Sequence, residues 1–185
     1  GFMQAQFDLG SCYQQGWGVK HSYTKAELWY RKAAEQGHAL AQFVLAGMYT
    51  QGQGVARNYE EAVRWLRASA KQGRSESQYN LGVRYAFGQG VSRDDAEAVE
   101  WFRKAAEQGR SAAQYNLGIY YARGRGMPKN NIEAYVWLAL AAESSYEDAA
   151  RNRDIIAIAL TPEARKQAKN IFEDRKKHLQ IRRNQ

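Results

Sequence analysis

Four tryptophans, Trp29, Trp65, Trp101 and Trp137, stand 36 residues apart. The same step relates Ala26, Ala62, Ala98 and Ala134; Tyr13, Tyr49, Tyr85 and Tyr121; and Leu9, Leu45, Leu81 and Leu117. It also relates two glycine columns, Gly16/Gly52/Gly88/Gly124 and Gly18/Gly54/Gly90/Gly126, and whole phrases recur, AAEQGH at 33–38 and AAEQGR at 105–110. A period of this length marks a stack of supersecondary units, because one unit cannot bury its apolar face alone and must lay it against the next. The spacing defines four repeats, about 5–40, 41–76, 77–112 and 113–148, and a half-repeat with a basic final helix over 149–185.

Each repeat reads as two helices. In the first helix, Ala41, Gln42, Leu45, Ala46 and Tyr49 fall on one arc at about 100° per residue, which makes them the buried face. The second helix starts after Ser22, Asn58, Asp94 or Asn130, all good N-caps, and Glu61, Glu97 and Glu133 stand at the capping-box position. Its inner face is Ala62, Trp65, Leu66, Ser69 and Ala70, which makes the tryptophan column core, and Gly37, Gly73 and Gly109 end it in a left-handed conformation. The Gly-x-Gly-Val between the helices lacks the lysine and the preceding strand of a phosphate loop, so it reads as a turn. Thr161, Pro162 and Glu163 start a last helix whose apolar stripe is Ala164, Ala168, Ile171, Phe172 and Leu179.

The composition narrows the function. The formal charge of +8 is concentrated at the end: residues 161–185 carry eight Lys and Arg against three acids. The remaining body is close to neutral, which argues against nucleic acid and places any acidic partner at the C-terminal helix. No apolar run reaches the roughly 20 residues of a membrane-spanning helix. Cys12 is the single cysteine, which forbids an intrachain disulfide or a paired-cysteine zinc site and fits a reducing compartment. The compartment stays open between cytoplasm and periplasm. His21, His38 and His178 have no partner at metal-ligand spacing and read as solvated, so neither a catalytic set, a metal site nor a cofactor is expected.

With the columns aligned, the unit A-x-[FY]-x-L-G-x-x-Y-x-x-G-x-G-V followed by a cap, A-x-x-W and A-A-E-Q-G resembles the Sel-one-like repeat (SLR), a relative of the tetratricopeptide repeat, over residues 5–148. The resemblance implies an all-α fold, a right-handed α/α solenoid, and a non-enzymatic scaffold or adaptor that binds a protein or peptide. The secreted, cysteine-rich relatives suggest an alternative, an envelope binder or hydrolase of peptidoglycan fragments or β-lactams, for which neither a nucleophile nor a base stands out here. Gly1 falls in the column of Gly37, so a longer chain with an upstream unit is expected.

If first helices line the concave side, as the resemblance implies, their variable columns pave a groove. The expected contact residues are Met48, Asn80, Val83, Arg84, Phe87, Asn116, Ile119, Tyr120 and Arg123, a mixture of apolar, amide and arginine side chains suited to an interface. Trp17 replaces the polar residue found at its loop position in the other repeats (Gln53, Gln89, Arg125) and is an additional expected contact. On the second helices, Arg31, Arg64, Arg67, Glu100 and Arg103 read as a solvated exterior without a site.

Overall fold

The computed structural model describes residues 2–146 and 148–183, without the side chains of Arg182 and Arg183. Gly1, on which the expectation of an upstream unit rests, lies outside the described residues. These residues form ten helices and no strand. They fall into two compact units that meet between Arg93 and Asp94. The first contains α1 (Phe2–Gln15), α2 (Tyr23–Glu35), α3 (Ala39–Gln51), α4 (Tyr59–Lys71) and α5 (Ser75–Phe87). The second contains α6 (Asp95–Ala106), α7 (Ser111–Arg123), α8 (Asn131–Glu143), α9 (Ala149–Ile158) and α10 (Pro162–Arg183).

The even-numbered helices begin where their caps demand. Ser22 accepts from the Lys25 N–H, Asn58 from Glu60 and Glu61, Asp94 from Ala96 and Glu97, and Asn130 from Glu133. Each such bond satisfies an amide that the helix start leaves orphaned, at about 1 kcal/mol. The glutamates at the capping-box position turn elsewhere: Glu61 faces Arg64, Glu97 accepts from Trp101 Nε1, and Glu133 binds Arg175. Thr161 caps α10 as expected, its hydroxyl accepting from the Ala164 N–H at 3.2 Å. Helix α9 starts at Ala149 behind a turn in which Ser145 and Asp148 have positive φ, because the fourth repeat has lost the glycine that ends the other second helices.

Repeats are joined by a buried amide. In the first unit Gln42 donates through Nε2 to the Ala34 carbonyl at 3.0 Å, while its Oε1 accepts from Gln72 at 2.8 Å. Gln36 donates likewise to Gln6, and Gln78 to the Ala70 carbonyl. In the second unit Gln114 donates to the Ala106 carbonyl at 3.2 Å. The recurring AAEQG is thereby explained: its second alanine offers a carbonyl to the next first helix, its glutamine reaches back to the first helix of its own hairpin, as Gln36 does to Gln6, and its glycine turns left-handed. A buried amide with both ends satisfied fixes the spacing of neighbouring hairpins, since a slip would strand several polar atoms at once.

The second glycine of Gly-x-Gly-Val is a contact as well as a turn. A Cβ on Gly54 would lie 2.4 Å from the Tyr23 carbonyl oxygen, one on Gly90 2.2 Å from that of Tyr59, and one on Gly126 2.3 Å from that of Asp95. Each loop thus rests on the first turn of the preceding repeat's second helix. Gly18, the first of the column, has nothing within 4 Å.

Three expectations are corrected here. Arg31, Arg67 and Arg103 are not a free exterior: Arg31 bonds Glu27 and the Tyr49 hydroxyl, Arg67 donates to the Tyr85 hydroxyl at 2.8 Å, and the Arg103 guanidinium lies over the Tyr121 ring. An arginine on each of α2, α4 and α6 clamps a tyrosine on the next first helix, using the planar, stacking character of guanidinium. The tryptophan column is only partly core, for Trp65 and Trp137 are buried whereas Trp29 and Trp101 are half-exposed beneath Lys32 and Lys104, each 4.2 Å from the ring. His38 is not solvated but caps α3 through Nδ1, bonds Gln4 through Nε2 and stacks on Phe7.

Helix α10 lies along α8, held by a two-bond pair of Arg175 with Glu133 (2.8 and 3.2 Å) and by Lys176 with Glu143. Two cations of the basic tail are therefore committed inside the second unit.

Gly90→Ala is expected to lose about 3 kcal/mol through its backbone clash and strained φ, and Gly18→Ala only about 1 kcal/mol from φ alone. Urea unfolding of the two variants reads the difference. In the same assay Gln42→Leu should cost about 1–2 kcal/mol, because two hydrogen bonds of the rung are lost while the Ala34 carbonyl keeps the Gly37 N–H and the exposed Gln72 amide turns to water.

Candidate functional site

The variable columns of the first helices do not behave alike. Met48 is 1% exposed and packs with Ala26 and Tyr30, and Tyr120 is 6% exposed with its ring edge-on to Phe102 at 5.5 Å. Neither can pave an open surface, which corrects the expectation for both. Their column faces residue 30 of the preceding second helix and its 36-residue equivalents, which are Tyr30, Leu66 and Phe102. Met48 against Tyr30 and Tyr120 against Phe102 are tightly filled junctions, one in each unit.

Arg84 and Leu66 occupy the same two columns, and there the junction is open. A cleft of about 280 Å³ lies between α3 and α5, with Leu66 and Phe43 among its walls, Val44, Ala46 and Gly47 along α3, and Asn80 and Arg84 on α5. Its cause is local: leucine replaces an aromatic ring, Gly47 brings no side chain, and a long polar residue stands where methionine or tyrosine fills the equivalent places. The space survives because Arg84 is held to one side. Its Nη2 donates to Thr50 Oγ1 at 3.0 Å, its Nη1 to Gln89 Oε1 at 2.5 Å, and its guanidinium stands 5.1 Å from the Tyr59 ring centre. Its Nε is buried without an acceptor. Burial pulls the Arg84 pKa down, partly offset by Tyr59, yet an arginine so placed stays charged at neutral pH.

Around this cleft, Asn80 and Val83 are half-buried, and Phe87, one turn beyond Arg84, is 72% exposed. Thr50 was absent from the sequence expectations, and Leu66 was expected only as a core residue. Their signal lay in their own columns, threonine among Gln14, Ala86 and Ala122, and leucine, shared with Leu138, beside Tyr30 and Phe102. In the second unit Asn116 and Ile119 are half-buried on α7 and Arg123 is exposed at its end. The loop position of Gln89 and Arg125 proves occupied, by Arg84 in one case and in the other by Asp95, whose carboxylate raises the Arg125 pKa. Trp17 at that position is 66% exposed.

Among the described residues no group of three or more His, Cys, Asp or Glu is placed to hold a metal ion, and no helix is long and apolar enough to cross a membrane. Cys12 is half-buried.

The repeat, its caps and its glutamine rungs correspond to a known pattern. The Sel1 repeat family model matches residues 4–38, 39–73, 75–109 and 111–146, so the chain belongs to the Sel1 repeat family. Among solved structures, a Sel1 repeat protein from Oxalobacter formigenes is 31% identical with a TM-score of 0.79, covering 95% of this chain and 73% of its own. A protective antigen of uropathogenic Escherichia coli strains displaying the SLR fold is 30% identical with a TM-score of 0.64; the match covers 98% of this chain and 48% of that one, so this chain spans about half its length. The cysteine-rich protein B of Helicobacter pylori, 23% identical with a TM-score of 0.56 over 71% of this chain and 95% of its own, shares the fold. Curated proteins yielded no match. Sel1 repeats are generally non-enzymatic scaffolds that mediate protein–protein interaction.

Arg84→Met restores the residue type of the Met48 junction and removes a desolvated charge, so its stability in urea should stay within about 1 kcal/mol of the parent.

Proposed function

We propose that the chain is a protein-binding scaffold that takes a peptide segment of its partner into the cleft between α3 and α5. The observation that carries this reading is Arg84, a half-buried guanidinium with an unused Nε beside a hollow whose walls join apolar Phe43, Val44 and Leu66 to polar Thr50, Gln51 and Asn80. A hollow with apolar residues, a few polar groups and one cation suits an apolar side chain flanked by a carboxylate. Asn80 would bond the peptide backbone, and exposed Phe87 would cover an apolar residue at the rim, since aromatics and arginine dominate interface energetics. Asn116, Ile119 and Arg123 of the second unit, with Trp17, would add contacts of the same kind. Family membership supports the general role. Neither a nucleophile with a base nor a metal cluster among the described residues favours hydrolysis.

The test is capture of partners by the intact protein, compared with an Arg84→Glu, Phe87→Ala double variant and with Leu66→Phe. The last fills the cleft with the kind of ring that Tyr30 and Phe102 supply in neighbouring repeats. Both variants should unfold like the parent and lose partner affinity by about tenfold or more. Undiminished capture by both would refute the cleft assignment.

A further inference from the structure

A second cleft, of about 380 Å³, lies in the other unit beneath α10. Arg103 of α6, Tyr121 of α7, Trp137 of α8 and Arg175, His178 and Leu179 of α10 line it. Its origin is legible in the preceding repeat. There Trp101 donates its indole N–H to Glu97, four residues earlier, at 3.0 Å. The equivalent carboxylate, Glu133, is instead gripped at both oxygens by Arg175, whose guanidinium stacks 4.5 Å from the Trp137 ring centre. Trp137, only 3% exposed, keeps a buried Nε1–H without an acceptor. The same holds for Arg103 Nε, which is buried without a hydrogen bond and has the nearest oxygen of Glu100 at 3.8 Å. Two residues that line one cleft thus each hold a buried donor without an acceptor, as Trp65 also does elsewhere, and buried N–H groups are almost always paired.

We infer that this cleft binds a small organic carboxylate, its oxygens taken by Trp137 Nε1 and Arg103 and its apolar body laid against Leu179 and the Tyr121 ring. Charge selects the class. Arg103 and Arg175 are balanced by the lining carboxylates Glu107 and Glu133, so a single negative charge is accommodated and a phosphate dianion is disfavoured. A volume of this size is at the small end of ligand pockets and admits a benzoate-sized molecule. The site is separate from the α3–α5 cleft and stands or falls independently of it.

The experiment follows the indole N–H resonances of the full chain by ¹H–¹⁵N NMR during titration with sodium benzoate, with benzamide and inorganic phosphate as the other arms. Trp137→Phe assigns the resonance. Benzoate should shift the Trp137 signal saturably while Trp65 stays in place, and benzamide and phosphate should bind at least about tenfold more weakly. Arg103→Met should weaken benzoate by about tenfold, the loss of one charge-assisted hydrogen bond. Arg175→Met should weaken it as well, by freeing Glu133 to take the Trp137 N–H as Glu97 takes that of Trp101. An unmoved Trp137 signal, equal response to benzamide or phosphate, or unchanged affinity in Arg103→Met would each overturn the assignment.

Discussion

The rest of the structure depends on a side-chain amide that has nowhere else to go. Gln42, Gln78 and Gln114 are buried on first helices, and each gives its N–H to the last carbonyls of the second helix before it. Hydrophobic contact alone is tolerant of sliding, because apolar area is buried in many registers. A buried amide is not tolerant, since its bonds must be made or their desolvation cost is left uncompensated. The glycine loops add a second constraint by resting backbone on backbone, where a single methyl group would collide with a carbonyl. Together these polar and steric locks set the distance between hairpins, and the apolar columns then fill whatever volume that distance leaves.

That order of causes explains how a site arises in a repeat. Because the spacing is held by glutamine and glycine, the residues between hairpins can vary without moving the hairpins. Where the facing pair is bulky, as with Met48 and Tyr30 or Tyr120 and Phe102, the junction closes. Where it is Arg84 and Leu66, the spacing persists and a hollow remains. The cleft under α10 has a different agent: a helix from outside the repeat pattern takes Glu133, whose counterpart Glu97 in the preceding repeat accepts from Trp101. In both places a side chain that differs from its counterpart in the neighbouring repeat stands beside open space.

Residues that keep one role in every copy were legible from the chain alone, because four copies report on one another. The caps Ser22, Asn58, Asp94 and Asn130, the left-handed Gly37, Gly73 and Gly109, and the inner faces of both helices apart from Trp29 and Trp101 stand as read. Less legible were side chains whose partner lies in another repeat. Arg31 and Arg67 looked solvated because helical periodicity describes one helix and is silent about the tyrosine facing it 18 residues on. Met48 and Tyr120 looked like groove residues for the same reason, since the width of a helix's buried arc depends on how deeply its neighbour reaches.

The sequence by itself determined the period, the all-helical hairpin and membership of a repeat family, because those follow from local propensity and from columns that recur. Only the tertiary structure decided which variable positions are walls and which are fillings. That distinction depends on pairs of side chains brought together from different hairpins, and on α10 settling over α8, neither of which leaves a mark on the periodicity of a single helix.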